Sequence, residues 1–282
     1  MTKPIAISLG STLANRYKLV AEVAHGAMGD VYEAVDRQAG SRVAVKVLRA
    51  EYLADESMRR RFRREGAVLK ALDHPAIVRL LELEVDTDGL VFLVTEYVEG
   101  ETLAARIARA PLGIEEADVL TNTLCDGLGA AHRHGVLHGD LKPANVIWPS
   151  DASMRLPRIV DFGASKIFGL DRLTATGEVS GTPAYMAPEL ITGKSDVDER
   201  LDVYGLGILV YEALSAAPAF CDNHVGRLMM KIDAGDCLPL DAVADVSPAV
   251  ADVVARAMHR DRDRRFDDMA SLRAAWQRAR HQ

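Results

Sequence analysis

The chain has 282 residues, of which 49% are hydrophobic and 27% charged, the composition of a globular protein long enough to bury a core. Its formal net charge of −7 disfavours general binding to nucleic acid, so we expect no nucleic-acid partner. The three cysteines, Cys125, Cys221 and Cys237, are widely spaced, which favours reduced thiols over a disulfide framework or a zinc site.

Two features argue against export and membrane insertion. The N-terminal residues lack the apolar core and the cleavage site of a signal peptide. The most apolar long stretch, residues 203–217, is too short to span a bilayer and contains Glu212. We therefore expect a soluble, cytoplasmic protein with no membrane partner.

The first third of the chain is predicted to be rich in strands. Residues 1–15 are predicted to be an N-terminal tail. After them, short β-branched and apolar runs alternate with Gly-rich or Asp-rich breaks, which predicts an antiparallel sheet. The runs are residues 17–23, 31–35, 43–48, 78–83 and 91–94.

One helix is predicted between the third and fourth runs. Its apolar residues Met58, Phe62, Leu69 and Leu72 lie near one face of a 3.6-residue period, and Asp55 or Ser57 can cap its start. Its other face carries Arg59, Arg60, Arg61, Arg63 and Arg64. Two interpretations of this basic face stay open, a solvated helix surface or a docking surface for a phosphate or an acidic partner.

The turn between the first two runs reads Ala24-His-Gly26-Ala-Met-Gly29-Asp-Val31. Glycines let backbone amides approach phosphate oxygens, although two glycines between strands are also typical of a plain hairpin. Lys46 follows in an otherwise apolar strand, where a buried ammonium needs an anionic partner unless it reaches solvent. Glu65, on the predicted helix, is a candidate partner or a member of a surface ion pair.

The middle of the chain carries the stretch His138-Gly-Asp-Leu-Lys-Pro-Ala-Asn145. It places Asp140 and Lys142 two residues apart and Asn145 five residues after Asp140, with Pro143 stiffening the loop. A carboxylate, an ammonium and an amide at this spacing can orient a hydroxyl, steady a phosphoryl group and bind a metal. Residues 145–148, Asn-Val-Ile-Trp, are predicted to be a short apolar strand. The run Arg158-Ile-Val-Asp161-Phe-Gly is predicted to be a strand that delivers a carboxylate and then breaks at Gly, as suits the binding of a hard cation.

The last part of the chain is predicted to be mainly helical. Residues 115–134 form a long helix that Gly135 ends. Residues 202–214 are apolar nearly all round, as in a central buried helix, and Asp202 is placed to cap its backbone donors. Ser247-Pro248 has the pattern of a further helix start.

Together these motifs resemble those of eukaryotic-like (Hanks-type) serine/threonine protein kinases, over residues 16 to 281. The turn matches G-x-G-x-x-G-x-V, the middle stretch matches H-R-D-L-x-x-x-N, and D-F-G follows. Residues 181–189, Gly-Thr-Pro-Ala-Tyr-Met-Ala-Pro-Glu, are similar to the end of the kinase activation segment. The chain departs from the family where Ala24 replaces the first Gly, Gly139 replaces Arg (a non-RD subtype) and Arg262 replaces Pro.

The resemblance implies an α+β, two-lobed protein-kinase fold. Residues 16–96 are then an N-lobe of antiparallel strands with one helix, and residues 97–282 are a mainly helical C-lobe. It also implies that Asp202 braces the loop that contains Asp140, and that Arg265 pairs with Glu189. Residues 95–100 are similar to the linker that joins the two kinase lobes. Arginine-rich, alanine-rich composition suggests a bacterial source.

The resemblance also implies the function, transfer of the ATP γ-phosphoryl group to a Ser or Thr hydroxyl of a protein, including the kinase itself. Asp140 then orients the hydroxyl and accepts its proton, Lys142 stabilises the moving phosphoryl group, and Thr182 bonds both. Lys46, paired with Glu65, holds the phosphates.

The implied cofactors are ATP and Mg²⁺, for which Mn²⁺ can substitute. Asn145 and Asp161 hold the metal ion. The residues implied to contact the nucleotide are Ala24, Gly26, Gly29, Val31, Ala44, Lys46, Thr95, Glu96, Val98, Ile147 and Asp161. Among these, Thr95 is the gatekeeper, while Glu96 and Val98 offer backbone groups to adenine.

Two other functions stay open at this point. His-Gly-Asp followed by Asn is also similar to aminoglycoside-type phosphotransferases, although Lys142 and residues 181–189 favour a protein kinase. An inactive scaffold is the other alternative. Thr174, Thr176 and Ser180 are candidate phosphorylation sites, and a regulatory partner protein would supply the input. Because Gly139 lacks the charge of the usual Arg, we expect activity to depend only weakly on their phosphorylation.

Overall fold

The computed structural model describes residues 8–26, 29–85, 89–150, 156–162, 183–193 and 196–282, apart from the side chains of Arg61, Arg64, Glu65, Val68 and Glu84. The chain divides into two units. The first comprises the residues up to Asp73 together with Val78–Val98, and the second comprises His74–Ile77 and Glu99–Gln282. The predicted domain limits, 1–15, 16–96 and 97–282, stay a prediction.

The described residues of the first unit form a six-stranded antiparallel sheet in the order β1-β2-β3-β4-β6-β5. The strands are β1 (Thr12–Leu13), β2 (Tyr17–His25), β3 (Gly29–Asp36), β4 (Arg42–Leu48), β5 (Leu80–Val85) and β6 (Val91–Glu96). Alternate residues of β4 show why this sheet forms, since Val43, Val45 and Val47 are buried while Ala44 and Lys46 are partly exposed. One face therefore packs into a core that includes Leu19, Ala34 and Phe92.

The short strand β1 lies within residues 1–15, which the sequence analysis predicts to be a tail. Thr12 and Leu13 pair with Lys18 and Tyr17 of β2. Leu13 is buried in the core of the sheet, which explains why this part of the chain is ordered onto β2. Two residues are too few to show an alternating pattern in the sequence.

The helix α1 (Glu56–Ala71) of the first unit has the predicted start. The carboxylate of Asp55 accepts hydrogen bonds from the backbone N–H groups of Ser57 (2.8 Å) and Met58 (3.3 Å). Its apolar stripe, including Phe62 and Leu69, is buried. The predicted helix and its cap are therefore confirmed.

The second unit is mainly helical, as predicted. The helices among its described residues are α2 (Leu103–Arg109), α3 (Ile114–Arg133), α4 (Pro188–Ile191), α5 (Arg200–Ser215), α6 (Val225–Ala234), α7 (Pro248–Ala257) and α8 (Met269–Ala279). It also contains a small antiparallel sheet with strands β7 (Gly100–Thr102), β8 (Val146–Pro149) and β9 (Arg158–Ile159). The sequence predicted β8 and β9 but not β7. The α+β fold class, with strands in one unit and mainly helices in the other, is confirmed.

The ends of the helices follow local sequence signals. Ser247 caps α7 and Pro248 occupies its first turn, as predicted. Gly135 follows α3 with φ +69°, a conformation that glycine adopts without strain. Ala216 ends α5 with φ +53°, where glycine would be favoured.

Helix α5 is the most deeply buried helix among those described. Nearly all its residues from Leu201 to Leu214 are buried, and α3 and α7 both pack against it. This burial matches the predicted central helix. In the described part of the chain, no helix is both long and apolar enough to cross a membrane.

Candidate active site

The loop His138–Asn145 lies between α3 and β8, and its last residues, Pro143–Asn145, form one turn of 3₁₀ helix. Its first residues are held by Asp202 of α5. The Asp202 carboxylate accepts hydrogen bonds from the backbone N–H groups of His138 (2.8 Å) and Gly139 (2.6 Å). Since both amides would otherwise be unpaired next to the core, this carboxylate fixes the start of the loop.

The structure thus corrects the predicted capping role of Asp202. Helix α5 begins at Arg200, and the side chain of Asp202 binds the loop instead of its own helix. The bracing role that the kinase resemblance implied agrees with this geometry. The helix start was misplaced because the loop amides that compete for the carboxylate lie more than sixty residues earlier in the chain.

Asp202 also binds a histidine that the sequence did not single out. His132, near the end of α3, donates from Nε2 to Asp202 Oδ2 at 2.7 Å, and the Asp202 side chain is fully buried. Burial alone would raise the pKa of the Asp202 carboxyl. The hydrogen bond from His132, the charges of His132 and His138 and the amide of Gly139 instead hold that pKa below its ordinary value. Asp202 is therefore ionised at neutral pH, which strengthens its hold on the loop.

Gly139 has φ +62°, in the left-handed region. A side chain at this position would strain the backbone, while glycine adopts this conformation freely. Glycine in place of the family's Arg therefore suits the left-handed backbone conformation at position 139.

The three polar side chains of the loop meet around Asp140. Lys142 Nζ donates to Asp140 Oδ2 at 2.8 Å. Asn145 Nδ2 donates to the backbone carbonyl of Asp140 at 2.8 Å and to Oδ2 at 3.3 Å. Both bonds use Oδ2, and within the described residues Asp140 Oδ1 accepts no hydrogen bond. The carboxylate is thus oriented with one oxygen available to accept a proton.

The second unit also brings Asp161 to this region. Strand β9 pairs with β8 through Val146 and Ile159, and the N–H of Val160 donates to the carbonyl of Asn145 at 3.0 Å. This register places Asn145 and Asp161 at the same end of the strand pair. Asp161 itself has φ +60°, an uncommon conformation for a non-glycine residue and one enriched at functional sites.

His138 also contacts the run of residues that carries Asp161. Its Nε2 lies 3.1 Å from the carbonyl oxygen of Val160, and its ring meets the fully buried ring of Phe162 edge-on at 4.8 Å between centroids. The residue thus links the loop to the run that carries Asp161. Gly163, which completes the predicted motif, lies outside the described residues.

The side-chain oxygens of Asn145 and Asp161 are suitable ligands for a divalent metal ion. Because Asn145 donates its N–H to Asp140, its amide oxygen is left as the ligand atom, and Asp161 adds a carboxylate. Hard cations such as Mg²⁺ prefer these oxygens. In the described ranges no group of three or more His, Cys, Asp or Glu residues could hold a metal, so phosphate oxygens and water would have to complete the coordination here.

In the first unit, the glycines of the predicted phosphate turn have a structural reason of their own. Gly26 N–H donates to the carbonyl of Gly29 at 3.0 Å. A Cβ on Gly29 would lie 2.4 Å from the carbonyl oxygen of Val47, and one on Gly26 would lie 2.8 Å from that of Gly29. Ala24 lies inside β2, opposite Val31, and the residues between the two glycines lie outside the description.

Four predicted nucleotide contacts share one face of the sheet. Ala44 and Lys46 alternate with the buried valines of β4, and they pair with Thr95 of β6 and Val31 of β3 respectively. Residues paired across strands point to the same side, so Val31, Ala44, Lys46 and Thr95 lie together on the face opposite the core.

The pairing of Lys46 with Glu65 stays a prediction, since the Glu65 side chain on α1 lies outside the description. Glu96 N–H donates to the carbonyl of Arg79 at 3.0 Å, so a contact of Glu96 with adenine would use its carbonyl. Val98 is partly buried at the end of the first unit. Ile147 lies on β8 in the second unit, partly exposed beside the buried Val146. Thr182 lies outside the described residues, as do Thr174, Thr176 and Ser180.

The end of the predicted activation segment is anchored by an ion pair. The Arg265 guanidinium binds the Glu189 carboxylate through two hydrogen bonds of 2.7 Å, Nη1 to Oε1 and Nη2 to Oε2. The predicted pairing of these residues is therefore confirmed. Arg262, where the family has Pro, binds Asp196 instead.

The model of the family described as "Protein kinase domain" matches residues 17–277, so the chain belongs to the protein kinase domain family. Proteins of this family use ATP and a divalent metal ion. The predicted family and fold are thereby confirmed.

Curated relatives are bacterial kinases. The serine/threonine-protein kinase PknB of Mycolicibacterium smegmatis is 35% identical over 269 residues, covering 93% of this chain and 42% of the relative. The serine/threonine-protein kinase pkn2 of Myxococcus xanthus is 36% identical over 236 residues, covering 82% of this chain and 28% of the relative. The chain therefore spans less than half the length of these relatives.

Solved kinase structures are similar over nearly the whole chain. The PknI kinase domain of Mycobacterium tuberculosis has a TM-score of 0.75 and 28% identity, covering 97% of this chain and 99% of that chain. Rad53, solved in complex with AMP-PNP, has a TM-score of 0.77 and 26% identity, covering 93% and 65% of the respective chains.

Proposed function

We propose that this chain is an ATP-dependent serine/threonine protein kinase, which transfers the γ-phosphoryl group of ATP to Ser or Thr hydroxyls of proteins, including its own. The observation that carries the proposal is the arrangement of Asp140, Lys142 and Asn145, in which the ammonium and the amide both bind the Asp140 carboxylate. A buried carboxylate, Asp202, fixes the loop that holds all three.

The loop residues take the chemical roles. Asp140 orients the acceptor hydroxyl and accepts its proton, for which an unbonded carboxylate oxygen suits it. Lys142 stabilises negative charge on the moving phosphoryl group, and Thr182 bonds both side chains. Positioning and electrostatic stabilisation then account for the catalysis.

Asn145 and Asp161 are the proposed metal ligands, for Mg²⁺ or, in its place, Mn²⁺. When bound, the ion neutralises charge on the phosphates. Their hard oxygen atoms and their position at the end of the β8–β9 pair support this assignment.

The first unit supplies the other nucleotide contacts in this proposal. Lys46, fixed by Glu65, binds phosphate oxygens, and the amides around Gly26 and Gly29 do the same. Val31, Ala44 and Ile147 contact adenine, and Ala24 belongs to the turn that covers the nucleotide. Thr95 is the gatekeeper, and Glu96 and Val98 offer backbone groups to adenine. The shared sheet face of Val31, Ala44, Lys46 and Thr95 supports this set.

Phosphoryl transfer from labelled ATP to the kinase itself and to myelin basic protein tests the proposal. We expect Asp140→Asn to lower the rate at least about 100-fold, since it removes the proton acceptor. Asp126→Asn, which changes an exposed carboxylate of α3, is the matched control and should leave the rate within twofold. Absent labelling would show that the chain is an inactive scaffold, and equal labelling by wild type and Asp140→Asn would contradict the role of Asp140.

An aminoglycoside panel, assayed with the same labelled ATP, separates a protein kinase from a small-molecule kinase. The hydrogen bond of Lys142 to Asp140 favours the protein kinase, because that lysine belongs to the protein-kinase motif. Transfer to an aminoglycoside without transfer to protein would overturn the proposal.

We also propose that the kinase is of the non-RD subtype and depends only weakly on phosphorylation of Thr174, Thr176 and Ser180. Gly139 supports this, since it offers no charge to an activation-segment phosphate. The triple alanine variant should keep at least half of the wild-type rate in the labelling assay. A loss of tenfold or more would contradict the idea.

The proposed setting is the bacterial cytoplasm, with protein substrates, a regulatory partner protein, and no nucleic-acid or membrane partner. Three free thiols support a reducing compartment, and the net charge of −7 disfavours nucleic acid. Cell fractionation with an antibody against the kinase checks this, and recovery in the membrane fraction would contradict it.

A further inference from the structure

The second unit contains a cavity of about 340 Å³ away from the loop of Asp140. It lies against α5, α6 and α7 and the segment that follows α6. Its walls are apolar and include Tyr211, Phe220, Leu240, Val254 and Met258, all nearly fully buried. Pockets of about 300–1,000 Å³ with apolar walls and a few polar groups are typical of small-molecule sites in proteins.

The walls of this cavity are fixed before any ligand arrives. Tyr211 Oη donates to the carbonyl of Leu238 at 3.0 Å, which ties one wall to α5. Arg265 donates from Nε to the carbonyl of His259 at 2.7 Å and from Nη2 to that of Arg260 at 3.3 Å, which holds the opposite wall. A preformed site avoids the entropic cost of ordering loops on binding.

The lining carries one charged side chain, that of Arg260. Arg260 is exposed, and its guanidinium makes no hydrogen bond or ion pair within the residues that the structure describes. His259 Nδ1 lies 3.0 Å from the backbone nitrogen of Asp261 and 3.1 Å from the carbonyl oxygen of the same residue. The lining thus offers a guanidinium to a ligand, and its side chains include no carboxylate.

Cys237 also lines the cavity, and its thiol does not readily ionise. Burial raises the pKa of its thiol, and the neighbouring Asp236 raises it further. The thiol therefore stays protonated at neutral pH and adds no negative charge to the cavity. The chain as a whole carries −7, so any preference of the cavity for an anion has to come from Arg260.

We propose that this cavity binds a small amphipathic anion, a medium-chain carboxylate, with its hydrocarbon chain among the apolar walls and its carboxylate at Arg260. This site goes beyond the proposed kinase activity. At roughly 30 Å³ for each water-sized group, the cavity holds about eleven such groups, which fits an acid of about ten carbons.

Decanoate is the probe, and isothermal titration calorimetry with the full chain measures its binding. We expect a dissociation constant below about 1 mM, given the small apolar contact. Decyltrimethylammonium, with the same chain length and opposite charge, should bind at least tenfold more weakly. Equal binding of the two probes, or no binding of decanoate, would overturn the proposal.

Two variants locate the site. Arg260→Glu should weaken decanoate binding at least tenfold, while Arg264→Glu, the same charge change at an exposed position outside the lining, should alter it less than twofold. Ala255→Trp, at an exposed position of the lining on α7, should fill the cavity and abolish binding. Circular dichroism melting confirms that each variant is folded. Equal effects of Arg260→Glu and Arg264→Glu, or unchanged binding by Ala255→Trp, would refute the assignment.

Discussion

Arg265 and Glu189, 76 residues apart in the chain, form a doubly hydrogen-bonded ion pair in the interior of the second unit. Their side chains are 0% and 5% exposed. The guanidinium has five N–H groups, and its remaining three bind the backbone carbonyls of Arg200, His259 and Arg260. Because every donor of this buried guanidinium is bonded, Arg265 fixes Glu189, the residue after Pro188, against three other segments of the chain.

The first prediction concerns this pair. Arg265→Met should lower the free energy of unfolding by about 3–5 kcal/mol, because it leaves the Glu189 carboxylate buried without a partner. The double variant Arg265→Met with Glu189→Leu should recover much of that loss, since neither charge remains buried. Urea denaturation measures all of these values.

Arg273→Met is the control for this experiment. Arg273 binds Asp126, and both side chains are more than one-third exposed. Such a pair contributes about 0–1 kcal/mol, so the variant should be nearly as stable as wild type. A loss as large as that of Arg265→Met would show that burial is not the cause.

Asp202→Asn is the second prediction. In this variant one carboxylate oxygen becomes the amide nitrogen of Asn, which cannot accept a hydrogen bond. In one orientation that nitrogen faces the N–H groups of His138 and His132, and in the other it faces the N–H of Gly139. At least one buried donor therefore loses its acceptor. We expect a loss of about 3 kcal/mol in unfolding free energy by urea denaturation and at least a tenfold lower kcat, with a nearly unchanged KM for ATP.

Glu199→Gln is the matched carboxylate change for this variant. Glu199 lies 3.9 Å from His132 Nδ1 and is 44% exposed. Its contribution should be below about 1 kcal/mol, and kcat should stay within twofold. If Glu199→Gln lowered kcat as much as Asp202→Asn, general electrostatics rather than the hold on the loop would be responsible.

Ala216→Gly is predicted to stabilise the protein. Ala216 is exposed and has φ +53°, which costs a residue with a Cβ about 1–2 kcal/mol. Glycine removes that strain but adds freedom to the unfolded chain, so the net gain should be about 0.5–1 kcal/mol in urea denaturation. Ala217→Gly, one residue later without a positive φ, should instead lower stability by a similar amount.

The fourth prediction concerns acid stability. The hydrogen bond from Arg16 lowers the pKa of Asp36 from 3.8 to about 2. A carboxyl whose folded pKa is depressed adds stability above its unfolded pKa and loses it as the pH falls through the folded pKa. Asp36→Asn should therefore be about 1–2 kcal/mol less stable than wild type at pH 6, since Arg16 is partly exposed and screened.

The difference between wild type and Asp36→Asn should shrink between about pH 4 and pH 2, where Asp36 takes up its proton. Urea denaturation at pH 6, 4 and 3 follows it. A difference that stayed constant over this range would show that packing, rather than charge, accounts for the loss.

Features with strong local signals were predictable from the sequence. Asp55 and Ser247 mark helix starts by the hydrogen bonds that their side chains accept, and Gly135 marks a helix end by its positive φ. The alternation of valines in β4 marks a strand with one buried face. These signals depend on neighbours within a few residues.

Features that depend on distant partners were not predictable in the same way. His132 contacts Asp202 across 70 residues, and nothing in its own segment of α3 distinguishes it from other helical polar residues. The strand β7 is three residues long, too short for any periodic pattern. The cavity near Met258 likewise exists only where separate helices meet.

The hydrogen bonds from the loop to Asp202 of α5 also determine when the loop can be ordered during synthesis. The loop from His138 leaves the ribosome before Asp202, which follows 64 residues later. Until α5 has emerged and packed, the backbone amides of His138 and Gly139 have no carboxylate to hold them. A nascent chain therefore carries an unassembled loop, and the proposed phosphoryl transfer has to await the folding of α5.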